Sequence, residues 1–327
     1  MKALHISEGA TAPPNSLAVD GPVTGAEIIY SHWQGEPNIP DTLLGDTSSE
    51  MLLRAAGEPD LWLKPYRHVV IGHLDTDGLL AAAIAVNPDI ARRHGGLLVD
   101  AATSGDFQTW RGEPAYRLML TLHRKIHEGP TPQAVVDDVV GNFAEIIKTS
   151  VTDPTLNAAV ASTREAFAGI HSGRIGIHLG VRLATISWDR KTGHDWDPFL
   201  TVGAPDDLPL HILGAIIPDD RFQLRIERFG CGLHAGLDAP RHSWARTIIR
   251  PTIPWPDLAR RLVAAQRSTR LCAVRDLTEA DIVARIMRKE NFLIGMLNKG
   301  VLALHAPLPG RRRRLMLTKT LEWNLSW

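Results

Sequence analysis

Cysteine is nearly missing: Cys231 and Cys272 are the only two in 327 residues. Two thiols build neither a disulfide framework nor a thiolate metal cluster. An excess of charge is missing too, since Lys plus Arg and Asp plus Glu both number 36. That balance argues against a general nucleic-acid binder. No apolar run approaches the 18 residues that a membrane span requires, so none is expected. The opening stretch "MKALHISEGATAPPNSLAVDG" lacks the apolar core of a signal peptide. Internal repeats and low-complexity segments are also lacking. These absences lead to the expectation of a soluble, cytoplasmic protein.

What is present is enough for a core. Apolar residues make up 44% of the chain and charged residues 22%, which rules against global disorder, and the length suits two domains or one large domain with insertions. Fourteen histidines and nine tryptophans are many for this size. Histidine abundance is compatible with metal sites without requiring them.

Residues 26–32 and 67–73 read as short apolar strands, and 96–102 (GLLVDAA) reads as a third. Between them, Thr47 and Glu50 form a capping box that opens a helix stopped by Gly57. "DGLLAAAIAVNP" is a helix closed by Pro88. Strands alternating with helices predict an α/β domain, a parallel sheet covered by helices. Residues 113–170 turn helical, with apolar positions three and four apart. Beyond His171, "RIGIHLG", "VRLATISW", "LPLHILGAII" and "RFQLRIERFG" are β-rich. The expected division is an N-terminal extension (1–22), a metal-binding α/β domain (23–160) and a second, smaller α+β domain (171–327). Helices over 256–267 and 278–288 and a final pair of strands complete the latter.

The stretch "IGHLDTDG" (71–78) carries the chemistry. On a strand end His73, Asp75 and Asp77 alternate and point to one side, and Gly78 lets the chain turn into the next helix. Ligands bind at the carboxyl edge of such sheets. Two unpaired carboxylates and an imidazole there repel and desolvate badly unless a cation joins them. A divalent metal suits this mixed nitrogen and oxygen set, Mn²⁺ first, with Mg²⁺ or Zn²⁺ as alternatives. Without a cation, Asp77 would be an ordinary N-cap and Asp75 a solvated loop residue.

"HLDTDG" followed by an alanine-rich helix resembles motif I of the DHH phosphoesterase superfamily. The resemblance implies that His73 and Asp75 hold one metal and that Asp77 serves its neighbour. It also implies a bridging aspartate after a later strand, for which Asp106 in "AATSGDF" is the candidate, Asp100 lying inside the strand. Asp106 also suits an Asx-type turn. The Asp-His-His triplet of that family is absent after motif I. A degenerate counterpart, Ser31-His32-Trp33 in "IIYSHWQG", precedes it. In a permuted order of motifs, His32 remains a metal ligand, Ser31 replaces the acid, and Trp33 replaces the substrate-facing histidine. The resemblance covers roughly residues 26–107.

In the second part, "ERFGCGLHAGLDAPRHSWART" reads as a glycine-rich loop that admits close approach of a ligand, with Arg241 or His242 meeting an anion. His234, Arg241, His242 and Trp33 are the substrate-side candidates. Cys231 has no assignable partner base. "WDRKTGHDWDP" (188–198) reads as a hairpin loop, and the run Arg311–Arg314 as a local basic patch. His123 and His127 stand i, i+4 on one helix but lack the glutamate of a zincin motif, so they read as exposed helix histidines.

These readings lead to the expectation of a metal-dependent hydrolase, foremost a phosphoesterase acting on a small phosphate ester or nucleotide. The alternatives are a metal-dependent enzyme of specialised metabolism and a non-catalytic metal- or nucleotide-binding protein. The expected partner is a small anionic molecule, without general nucleic-acid or membrane binding, and a homodimer is left open.

Overall fold

The computed structural model describes residues 1–33, 35, 38–63, 65–173, 175–179, 183–189, 214–217, 222–229, 232–238, 245 and 302–307. It divides into two compact units. The first comprises Met1–Ser162, joined by Leu210–Ala215 and Trp244–Ile248. The second starts at Thr163 and takes the remainder.

The first unit is built on four short strands, β1 (Lys2–His5), β2 (Ser16–Val19), β3 (Ile28–Tyr30) and β4 (His68–Ile71). They pair in the order β1-β4-β2-β3, all parallel. Residues 1–22 are therefore not an extension: they supply two strands, and β2 lies inside the sheet. Its run Ser16–Val19 is wholly buried, as a strand covered on both faces must be. Register aligns Val19 with both Tyr30 and Ile71, so three adjacent strands end at one level.

Helices surround this sheet. α1 (Ser48–Ala55) starts at the capping box: Thr47 accepts from Glu50 N at 3.1 Å, and Glu50 accepts from Asp46 N at 2.8 Å. The short α2 (Pro59–Trp62) leads to β4. α3 (Thr76–Val86) is buried from Thr76 to Ala85. A helix apolar on all sides belongs in a core. Pro88 does not simply close α3; it opens α4 (Pro88–Asp106) at the first helical position.

α4 corrects the expected third strand. Residues 96–102 are helical, because Ala91, Leu98, Ala101 and Ala102 recur at helical spacing and are buried together. Two of the three glycines inside α4, Gly95 and Gly105, are close-approach positions. A Cβ on Gly95 would lie 2.7 Å from the Leu53 side chain, and one on Gly105 would lie 2.8 Å from that of Thr76. The predicted helical stretch consists of α5 (Glu113–Glu128), α6 (Pro132–Gly141), α7 (Phe143–Thr152) and α8 (Asn157–His171).

The second unit holds β5 (Ile175–Leu179), β6 (Leu183–Asp189), β7 (Phe222–Phe229), β8 (Gly232–Asp238) and β9 (Leu302–Pro307), paired in that order. β6 and β7 run parallel and the other neighbours antiparallel. Part of the glycine-rich stretch expected as a loop is strand: residues 232–238 form β8, and His234 stands opposite Glu227 and His305. The "LPLHILGAII" run, expected as strand, is helical at 214–216. Arg241, His242, Cys231, most of 188–198, Arg311–Arg314 and the helices expected at 256–267 and 278–288 lie outside the described residues.

Candidate metal centre

The carboxyl ends of β2, β3 and β4 deliver the site. One residue past β2 stands Asp20, two past β3 stands His32, and two past β4 stands His73. This is the edge where a parallel sheet binds ligands. Asp20 is wholly buried and adopts φ 52°, the left-handed region that aspartate tolerates better than most residues. Its backbone N–H donates to the Tyr30 carbonyl at 3.1 Å, which extends the parallel pairing of β2 and β3 at their carboxyl ends.

The alternation expected for His73, Asp75 and Asp77 does not occur, because β4 stops at Ile71. His73 sits in the turn. Asp75 is the N-cap of α3, where it accepts from Gly78 N at 2.9 Å. Asp77 lies in the first turn of α3 and is wholly buried. Its two oxygens accept from Ser48 N at 2.7 Å and Ser49 N at 2.8 Å, the opening amides of α1. Asp77 thus ties two helices together, the α1 end being favourable for an anion. Gly78 has no room for a side chain: a Cβ would stand 2.5 Å from the His73 carbonyl oxygen. Asp106 arrives at the last turn of α4 rather than after a strand.

Two groups of donors result. Asp20, His32, Asp77 and Asp106 offer ligand atoms within 4.8 Å of one another, and Asp20, His73 and Asp75 do the same. Asp20 belongs to both. His32 Nε2 lies 3.4 Å from Asp20 Oδ1 and 3.3 Å from Asp106 Oδ2. His73 Nδ1 lies 3.4 Å from Asp20 Oδ2 and 3.2 Å from Asp75 Oδ2. Sequence reasoning reached five of these six residues and missed Asp20. The signal was available: "SLAVDG" ends an apolar strand in Asp-Gly, as a strand feeding a site does.

The Asp46 carbonyl lies 2.6 Å from His32 Nδ1. A carbonyl only accepts, so Nδ1 carries the proton, and in a neutral ring Nε2 turns its lone pair toward Asp20 and Asp106. Such a backbone contact behind a histidine is how a metal ligand is oriented. Both oxygens of Asp20 and Oδ2 of Asp106 are buried and accept no hydrogen bond among the described residues. No Lys or Arg among those residues pairs with them. Buried carboxylates without donors are costly, and something cationic must answer them.

Protonation gives part of that answer when no metal is bound. Burial, then the neighbouring Asp75, Asp77 and Asp20, push the Asp106 carboxyl well above the usual range. Burial and Asp20 raise Asp75, with His73 and Gly78 opposing. Burial raises Asp77 against His32 and Ser49. His73, held by Asp20 and Asp75, is pushed up to about 10. For His32, burial works downward, yet Asp20, Asp77 and the Asp46 carbonyl outweigh it, and its pKa rises. Every shift has the chain taking up positive charge.

The site opens on a cavity of about 900 Å³. Trp33 lines it, with its ring edge-to-face on His73 at 5.7 Å. Ser31, expected in place of an acid, is buried and accepts from Trp33 N at 3.2 Å instead. His123 and His127 line the same cavity from α5. His234 belongs to the second unit.

Comparison with known proteins divides the chain again. Residues 5–163 match the model of a family of unknown function, DUF6687. Residues 249–327 match that of Autophagy protein ATG9. Autophagy-related protein 9 of Arabidopsis thaliana is 45% identical over 89 residues, which covers 23% of this chain and 10% of the relative. That of Dictyostelium discoideum is 43% identical over 77 residues, covering 23% and 11%. That of Yarrowia lipolytica is 38% identical over 85 residues, again covering 23% and 11%. The chain spans about a tenth of the length of these curated relatives.

These matches correct four expectations: the DHH resemblance, the metal-dependent hydrolase or phosphoesterase function, the associated manganese-hydrolase description, and the cytoplasmic address. The reason for the first is physical. "HLDTDG" joins a strand end, a cap and a tight turn, and such a junction places acids beside a histidine whatever the family. Among the described residues no helix is long and apolar enough to cross a membrane. Over its first half the chain is similar to a family whose function is open, and over its last quarter to a short stretch of autophagy-related protein 9.

Proposed function

We propose that the chain is a two-part protein acting in autophagy, with a divalent-cation centre in its first unit and an autophagy-related segment over 249–327. Support for the second part is the identity of 36–50% that relatives called autophagy-related protein 9 share with this stretch. The first part is carried by a single observation: Asp20, buried, presents both carboxylate oxygens to two histidines and accepts no hydrogen bond among the described residues. His32, Asp77 and Asp106 would hold one cation and His73 and Asp75 another, with Asp20 between them. A bound cation would supply the positive charge that these carboxylates lack, and so fix the ends of three strands and two helices.

The tests are separate. Metal analysis of the purified full chain should find bound divalent metal, reduced severalfold in Asp20→Asn. A wild type that binds neither Mg²⁺ nor Mn²⁺ overturns the centre. In starved eukaryotic cells the tagged full chain should gather on autophagic membranes, and a chain lacking 249–327 should not. Equal distribution of both overturns the autophagy role.

A further inference from the structure

We infer that His123 and His127 form a second, nitrogen-donor cation site on the wall of this cavity, suited to Cu²⁺ or Ni²⁺. The two residues stand one helical turn apart on α5, and their Nε2 atoms converge to 2.8 Å. The rings meet edge to face, with centroids 4.3 Å apart. Among the described residues neither Nε2 is engaged by a carboxylate or carbonyl as His32 Nδ1 is; each Nε2 faces the other.

The spacing decides which metal fits. With metal–nitrogen bonds of about 2.0–2.1 Å, a nitrogen separation of 2.8 Å subtends about 85° at the ion. That is the cis angle of a square-planar or octahedral centre, the geometry of Cu²⁺ and Ni²⁺ with nitrogen and oxygen donors. A tetrahedral ion such as Zn²⁺ would want the nitrogens about 3.3 Å apart. The donor type differs from that of the Asp20 centre, where carboxylates dominate and harder ions are favoured.

The proton balance is simple. In the metal-free pair one Nε2–H donates to the other nitrogen. Metal binding needs a lone pair on both, so the donor ring moves that proton to its Nδ1, and none is released. Burial and the neighbouring His127 hold the His123 pKa down, which favours the unprotonated ring that a metal needs. Both residues are exposed on the cavity side of α5, which leaves the remaining coordination positions to water.

The test uses the full chain, its purification tag removed and its oxygen-rich centre saturated with Mg²⁺. Titration with Cu²⁺ should show one tight equivalent, and His123→Ala and His127→Ala should each weaken it at least tenfold. Electron paramagnetic resonance of the bound Cu²⁺ should show coupling to two imidazole nitrogens, which keeps the inference testable should a variant fold poorly. Asp75→Asn should leave the binding intact. Coupling to fewer than two nitrogens, unchanged affinity in both alanine variants, or loss of Cu²⁺ in Asp75→Asn would each overturn the inference. The last result would place the ion at the Asp20 centre instead.

Discussion

Asp20 concentrates the physics of the first unit in one side chain. Its backbone takes a left-handed turn that costs free energy in any residue but glycine. Its carboxylate then faces two histidines and, among the described residues, no Lys, Arg or backbone donor. Without metal, Asp75, Asp77, Asp106, His32 and His73 all hold protons more tightly folded than unfolded. The sign follows from linkage. A carboxyl raised above 3.8 contributes most in acid and loses that contribution as pH rises through its folded value. His73 contributes fully below 6.5 and loses its contribution as pH climbs toward about 10. Metal-stripped protein should therefore resist urea better at pH 5 than at pH 8, and saturating Mg²⁺ should flatten or reverse the difference. Equal midpoints in stripped protein would contradict the buried charge cluster. Asp77 and Asp75 should also part company. Asp77→Ala strands two buried amides of α1 and should cost about 2–4 kcal/mol in urea unfolding. Asp75→Ala removes one cap and should cost about 1 kcal/mol.

At the scale of elements, legibility followed local chemistry. The capping box of Thr47 and Glu50, the turn at Gly78 and the apolar run of β4 are written in adjacent residues, and a reader of the chain finds them. The short strand Ser16–Val19 went unread because four residues show no periodicity, and its burial comes from partners at 28–30 and 68–71. Residues 96–102 were misread as a strand because a continuous apolar run looks alike in a buried strand and a buried helix. Ala91, Leu98, Ala101 and Ala102 carried the helical spacing. The correction has a mechanical side. Asp106 reaches the site because Gly105 lets α4 approach Thr76. Gly105→Ala gains about 1 kcal/mol of helix propensity, yet its Cβ would stand 2.8 Å from Thr76. The expected outcome is at least tenfold weaker Mg²⁺ binding by calorimetry with the helix content unchanged in circular dichroism. Unaltered affinity would show that Asp106 is not held there by that approach.

The whole molecule consists of two units, each with its own sheet, and the metal-ligand candidates described all lie in the first. Scanning calorimetry should therefore show a transition that moves with Mg²⁺ and one that does not. At a hundredfold excess over Kd a ligand adds about 2.7 kcal/mol, which for a domain of this size raises Tm by roughly 5–10 °C. A single transition that shifts as a whole would show the two units to unfold together. The sequence could not disclose this division of labour in full. The last quarter, 249–327, carries fifteen Lys and Arg against six Asp and Glu, but its likeness to autophagy-related protein 9 rests on residue-by-residue identity rather than on any motif with a chemical reason.

The order of the ligands along the chain also sets a timetable. Asp20, His32, His73, Asp75, Asp77 and Asp106 all precede the helical stretch and the second unit. β1 and β2 must wait for β4 before the sheet can pair, but nothing in the centre waits for the segment that begins at 249. At about 5–20 residues per second of synthesis, the last ligand leaves the ribosome several seconds before that segment is made. If the proposed centre binds a cation, capture would be an event of translation, and the metal available beside the ribosome, rather than at the chain's eventual destination, would be the one it meets first.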